Sequence, residues 1–290
     1  MRKKVSLVVA IVLLACALLA TTSCGGGGTD TNSPDPTGAT DSQVTDQNPS
    51  TGEPAGRLIC GVTEYEPMNY RENGVWVGFE TEFAQLVGER LGLEVEFQMI
   101  DWAQKFNELN SGAIDAIWNG LTATSSENGV PRVDMCDMSY TYMLNTQCVV
   151  IRNDRAGDVK TRDDLDGLTL AAEAGSAGAS EAEELVGDSG TVLGVAQQIN
   201  AFMEVMTGAV DGAVIDVILA QGQVGTGDYA NLQIAFELDP EAYAIGFRSG
   251  DPLRDRVNQV MVELFAEGLI QEIARKYGVD ANLVLDTTFG

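Results

Sequence analysis

The sequence predicts an α/β protein with mostly parallel strands, preceded by an export segment and a linker. Three observations predict it. From about Arg57 onward, short apolar strand patterns alternate with helical ones. Two such stretches, each of roughly 90 residues, follow one another and suggest two lobes. Apolar residues make up 44% of the chain, the composition of a globule and not of a disordered protein.

The first residues stand apart from that globule. Arg2, Lys3 and Lys4 give a positive start, and Val5 to Ala20 follow as an uncharged apolar run of signal-peptide length. Thr21-Thr22-Ser23-Cys24 and four glycines end the run. This segment resembles the signal of a bacterial lipoprotein, which implies residues 1–23 as the signal and Cys24 as the lipidated residue. Thr21 stands where Leu is usual. Leu13-Leu14-Ala15-Cys16 fits the local pattern better, but lipidation at Cys16 would cut the apolar run in half. A plain membrane anchor is the alternative, for which the run is slightly short. Residues 24–56 then form a tether rich in Gly, Ser, Thr, Asp and Pro, without aromatic residues to offset its ordering entropy.

Leu58 to Val62 reads as a buried strand. Phe79, Phe83, Leu86, Val87 and Leu91 recur at helical spacing, and Gly92 stops that helix. Leu93, Val95, Phe97 and Met99 alternate as a strand. Trp102, Phe106 and Leu109 suggest a helix, and Ile114 to Trp118 another strand. The second stretch begins near Cys148 to Ile151. A helix start at Thr161 to Asp164, a strand over Leu168 to Ala172 and a helix over Ser180 to Leu185 follow. Next come a helix over Ala201 to Met206 and a strand over Ala213 to Val217. Asp251-Pro252 opens a terminal helix striped with Val257, Val260, Met261 and Leu264. Gly268 separates it from a last helix.

Composition excludes much chemistry. The chain has no histidine, so no Ser-His-Asp triad, Cys-His pair or His-ligated zinc is available. It carries 43 acidic and 17 basic residues, a net charge of −26, which opposes nucleic-acid binding. Residues 1–23 hold three bases and no acid, so their loss takes the charge to −29. Neither a phosphate-binding P-loop nor a dinucleotide glycine motif is present. Cys60, Cys136 and Cys148 lie in apolar stretches and read as buried thiols, without zinc spacing. Glu80 and Glu82, two apart at a helix start, face different sides and make a poor acid/base pair.

Several motifs then appear in order: Glu66-Pro67-Met68-Asn69-Tyr70, Val77-Gly78-Phe79-Glu80, Asp101-Trp102, Leu109 to Ala116, Asn119-Gly120-Leu121-Thr122, Gly175-Ser176, Thr207 to Asp216, and Ala244 to Asp251. The series resembles the polar amino-acid family of ABC-transporter solute-binding proteins, family 3. The resemblance covers nearly the whole body. It implies a type II periplasmic-binding-protein-like fold, with two α/β lobes joined by two crossing strands. Lobe one would be 57–147 plus 240–290, and lobe two 148–239, closing over a ligand in the cleft.

Asp216 ends an apolar strand, where a carboxylate faces the crevice; it could also cap the next helix. In the family this position holds the ligand's ammonium group. The resemblance places Asn119, Gly120 and Thr122 at the ligand's charged end. Gly175-Ser176 opens a helix whose free N–H groups favour an anion; Ala177 replaces a usual hydroxyl, and Ser176 could serve only as a cap. Tyr65, after a one-residue deletion, and Trp102 match cleft aromatics, with an ordinary core role as the alternative for each. Many relatives carry an Arg five residues after the Thr122 position, and here ungapped counting gives Glu127. Arg132 lies further on, and a two-residue insertion leaves the loop's register open. Glu64, Glu127, Glu173 and Asp216 would then give an acidic cleft with no evident Arg.

That cleft favours a cationic ligand, a basic amino acid or another amine. A neutral amino acid held by Arg132 and backbone N–H groups is the alternative. The expected protein is a monomeric, lipid-anchored, extracytoplasmic receptor that delivers its ligand to an ABC permease, with no cofactor, metal or nucleic acid. An enzyme on the same fold or a ligand-sensing domain are the competing classes, and turnover of the ligand would distinguish the first of them.

Overall fold

The computed structural model describes residues 56–288, so Cys24, Cys16 and the tether up to residue 55 lie outside the described residues. The first strand, β1 (Gly56–Val62), already includes Gly56, assigned above to the tether. Leu58, Cys60 and Val62 are fully buried, because alternate side chains of the strand turn to one face. Helix α1 (Phe79–Leu91) has the bounds its spacing predicts, and Gly92 ends it in the left-handed conformation. Strands β2 (Leu93–Met99) and β3 (Ala116–Thr122) lie parallel to β1 on either side of it. Helix α2 (Lys105–Ser111) connects them after a 3₁₀ turn at Trp102–Gln104.

Two long strands follow different rules. β4 (Thr141–Arg152) is three times the short run visible in the sequence, and it leads into β5 (Thr169–Glu173), α3 (Ala177–Val186) and β6 (Thr191–Val195). Then come α4 (Gln198–Thr207), β7 (Gly212–Asp216), α5 (Val217–Gln223) and β8 (Leu232–Phe247). Helices α6 (Leu253–Glu267) and α7 (Leu269–Tyr277) pack back onto α1. The expected helix start at Thr161 is a single 3₁₀ turn over Arg162–Leu165, closed by a capping box between Thr161 and Asp164.

The strand order is β6–β5–β7–β4–β8–β3–β1–β2. The outer strands on each side pair in parallel, while β4 and β8 run antiparallel to each other through the middle. That central ladder loses register between Ile234 and Phe236 and again between Glu237 and Pro240. Three hydrophobic clusters fill the layers. One gathers Phe79, Phe83, Trp118 and Tyr142, a second Trp102, Phe106 and Leu121, and a third Val149, Leu170 and Val214. Cys60, Cys136 and Cys148 are buried free thiols. The carboxyl ends of β3, β5 and β7 are Thr122, Glu173 and Asp216, so three separate strands deliver the candidate residues to one crevice.

Candidate functional site

Asp216 is 5% exposed at the end of β7. Its side chain makes no capping bond to α5. Instead Asn145 Nδ2 and Gln147 Nε2 each donate to Oδ1 at 2.6 Å, and Gln198 Nε2 donates to Oδ2. Burial raises the pKa of this carboxyl, and these donors pull against that shift. Asn145 and Gln147 sit on β4 and Gln198 opens α4. Sequence reading missed all three: polar residues spaced along a strand, as Asn145 and Gln147 are, look solvent-facing until a partner strand covers them, and Gln198 lies before the apolar stripe that starts at Ala201.

Glu173, at the end of β5, is 3% exposed, and its Oε1 has no hydrogen-bond partner. Burial, then the charge of Asp216, push its pKa up to about 8. Gly175 follows at φ 73, and the nearest atom to an added Cβ would be Ala103 Cα at 3.0 Å. The turn therefore needs glycine both for its backbone angle and for the close approach of the opposite wall. Ser176 Oγ accepts from Ala179 N at 2.9 Å, so its hydroxyl is the N-cap of α3, and Ala177 is the first helical residue. Ser176→Ala should lower stability by about 1 kcal/mol through the lost cap; chemical denaturation would measure it.

The opposite wall starts at β3. Asn119 is a structural clamp: Nδ2 donates to Thr63 Oγ1 at 2.8 Å, and Oδ1 accepts from Thr63 N at 3.0 Å. Gly120, at φ 55, lies under the Tyr65 and Tyr243 rings and donates its N–H to Glu80 Oε1 at 2.8 Å. Glu80 is fully buried, and it also accepts from Asn69 Nδ2 at 2.7 Å and from Tyr142. Burial pushes its pKa up to about 7. The sequence reading gave Glu80 only a helix-dipole role and did not see that it braces this turn. Tyr65 is buried, with its hydroxyl 2.8 Å from that of Tyr243.

The arginine that counting along the chain misplaces is present in the crevice. Ser126–Glu127 and Val130–Pro131 form a tiny hairpin around Asn128 and Gly129, both at positive φ. Asn-Gly is the strongest short sequence signal for such a two-residue turn. The hairpin folds the chain back so that Arg132, 1% exposed, donates Nη1 to Thr122 O at 3.1 Å and Nη2 to Gly175 O at 3.0 Å. Its Nε has no partner. Glu127 turns to Lys105 Nζ at 2.5 Å, and the same ammonium donates to Gly175 O at 2.8 Å. Glu64 is half-buried on a separate loop, where it accepts from Arg71 N at 3.2 Å. The expected four-carboxylate cleft without an arginine is thus corrected. Its lining holds Glu173, Asp216 and Arg132, while Glu127 is paired with Lys105 and Glu64 lies apart.

Trp102, Asn119, Gly120, Thr122 and Arg132 line, with Gln147, Glu173, Ser176, Ala177, Gln198 and Asp216, a cavity of about 10 Å³, room for about one water molecule. The walls are drawn together by Lys105 and Arg132, which share the Gly175 carbonyl, and by Ser180 Oγ on Ser126 O at 3.2 Å.

A family model for bacterial extracellular solute-binding proteins, family 3, matches residues 58–280. The chain belongs to this family. The family 3 protein is 27% identical to the arginine-binding extracellular protein ArtP of Bacillus subtilis (strain 168), over 92% of its own length and 96% of that chain. It is 29% identical to the L-cystine-binding protein TcyA of the same organism, over 73% and 77% of the two chains. An ancestral arginine-binding protein bound to arginine superposes with a TM-score of 0.71 at 28% identity, covering 77% of this chain and 99% of that one. The fold of the family 3 protein is accordingly the type II, two-lobed α/β architecture. These relatives are binding proteins, and no described helix is long and apolar enough to cross a membrane.

Proposed function

We propose that this protein is the lipid-anchored receptor of an ABC importer and captures a cationic amino acid between two lobes. One observation carries the reading. Two polar atoms of the crevice residues are buried without partners, and they are complementary: Arg132 Nε is a donor and Glu173 Oε1 an acceptor. A buried donor or acceptor without a partner is costly, so both are expected to find one in the ligand. An α-carboxylate on Arg132, an α-ammonium on Asp216 and a second cation on Glu173 would satisfy all three groups and neutralise the crevice. A neutral amino acid would supply no charge to ionise Glu173, which would stay protonated. The relatives that bind arginine and cystine support an amino-acid ligand of this size.

The lobes we assign are 57–147 with 240–290, and 148–239. Both boundaries fall inside β4 and β8, next to the lost register between Glu237 and Pro240. A ladder with fewer bonds bends there at less cost, which suits a hinge. An amino acid far exceeds a cavity of about 10 Å³, so entry requires the lobes to part. The bonds from Lys105 and Arg132 to Gly175 would then break and re-form around the ligand. Capture of this kind needs no catalytic group and no cofactor. Attachment through Cys24 would hold the receptor at the outer face of the membrane, and Cys24→Ala should release it into the medium.

Calorimetric titration with L-arginine, L-ornithine, L-histidine, L-glutamine and L-cystine tests the ligand class. The cationic amino acids should bind most tightly. Glu173→Gln should weaken them by roughly thirtyfold or more, the cost of leaving one partner of a buried charge pair unmatched. It should change glutamine binding far less. Tighter binding of glutamine than of arginine by the wild type would sink the cationic assignment.

A further inference from the structure

Asp216 does not stand alone. Glu241, on β8, reaches the same two amides from the other side. Asn145 Nδ2 donates to Asp216 Oδ1 and to Glu241 Oε1, each at 2.6 Å. Gln147 Nε2 donates to the same two oxygens at 2.6 and 2.9 Å. Each amide has only two hydrogens, so the four bonds use both amides completely. Two shared nitrogens hold the carboxylate oxygens within about 5 Å of each other, where like charges do not both ionise freely. Neither carboxylate forms an ion pair with a described Lys or Arg; Asp216 is buried and Glu241 half-buried.

We propose that Asp216 and Glu241 hold one proton between them, and that the ammonium group of the arriving ligand displaces it. This rests on the functional reading above, in which Asp216 receives the ammonium. Glu241 is a positioning residue here. It lies behind the amides, beside Gln147 and Thr122 in a second cavity, and acts on the ligand's ammonium through Asp216. The step balances: the ammonium arrives with its charge, and one proton leaves to solvent. A rising pH removes the competing proton, so affinity rises with pH until the pair is ionised and is level above that. The pKa of Glu241, pushed up to about 7 first by burial and then by Asp216, puts that change near neutrality. The other titratable or charged groups whose fields reach the pair are Tyr65, Tyr243, Glu173, Arg132, Cys148 and Glu80.

Two measurements on the full chain test this. L-arginine is titrated at pH 6.5 in buffers of different ionisation enthalpy, which counts protons released on binding. Wild type should release about one proton more than Glu241→Gln, and its affinity should fall about tenfold more per pH unit below neutrality. The difference should persist in a Glu173→Gln background, which removes any proton that Glu173 itself gives up. Equal proton counts overturn the proposal. The second measurement needs no ligand: the carboxyl ¹³C signals of Asp216 and Glu241 are followed with pH, assigned by Asp216→Asn and Glu241→Gln. Both carbons should follow a shared step near neutrality, and Glu241→Gln should lower the Asp216 step. Independent titration of both in the ordinary carboxylate range overturns the proposal whether or not an amino acid binds. Failure of every amino acid to bind, with the shared step intact, overturns the functional reading instead.

Discussion

Asp216→Asn is expected to weaken amino-acid binding by about 2–5 kcal/mol, roughly thirtyfold to several thousandfold in Kd. The physical reason is that Asp216 is ringed by donors. Its Oδ1 accepts from Asn145 and Gln147 and its Oδ2 from Gln198. An asparagine at this position turns an NH₂ group toward one of those NH₂ groups, so at least one bond is lost and the amides reorient. It also removes the charge that would meet the ligand's ammonium. Calorimetric titration beside a melting curve separates the two effects. A loss of less than threefold with an intact fold would remove Asp216 from the ligand's contacts.

Arg132→Met should reduce affinity by a similar amount, and Arg132→Lys should recover only part of it. The guanidinium has three tasks at once: Nη1 holds Thr122 O, Nη2 holds Gly175 O, and Nε remains for an acceptor. A lysine ammonium is a single point charge and cannot serve three directions in one plane. Burial pushes the Arg132 pKa down, opposed mainly by Glu127, yet a guanidinium stays charged at neutral pH. Full activity in the Lys variant would mean that only charge matters at this position. Equal loss for amino acids and for their decarboxylated amines would mean that Arg132 does not hold the ligand carboxylate.

Much of the framework was legible because local patterns and tertiary packing agree. Phe79, Phe83, Val87 and Leu91 fix a helical stripe, and Gly92 fixes its end, without reference to any other element. Asp216 was legible from an apolar strand ending in a carboxylate. The crossing strand β8 was expected from the family resemblance, not from its own residues. It contains Pro240 amid Glu237, Asp239 and Glu241, which reads as a loop. It is a strand only because β4 supplies its hydrogen bonds along most of its length. Strand β6 was missed for a related reason: it is short, and packing on the sheet stabilises it more than intrinsic propensity does.

The sequence by itself determined the α/β alternation, the absence of imidazole chemistry, the acidic balance and the apolar strand that carries Asp216. Tertiary structure alone decided how those charges are matched. It brought Arg132 back over the Asn128-Gly129 turn and drew Glu127 to Lys105. It also left Glu64 with Arg71 and set Glu241 behind Asp216. The difference is one of range. Periodicity and turn chemistry act over a few residues, whereas a charge is screened or matched by whatever the fold places within a few ångströms, from anywhere along the chain.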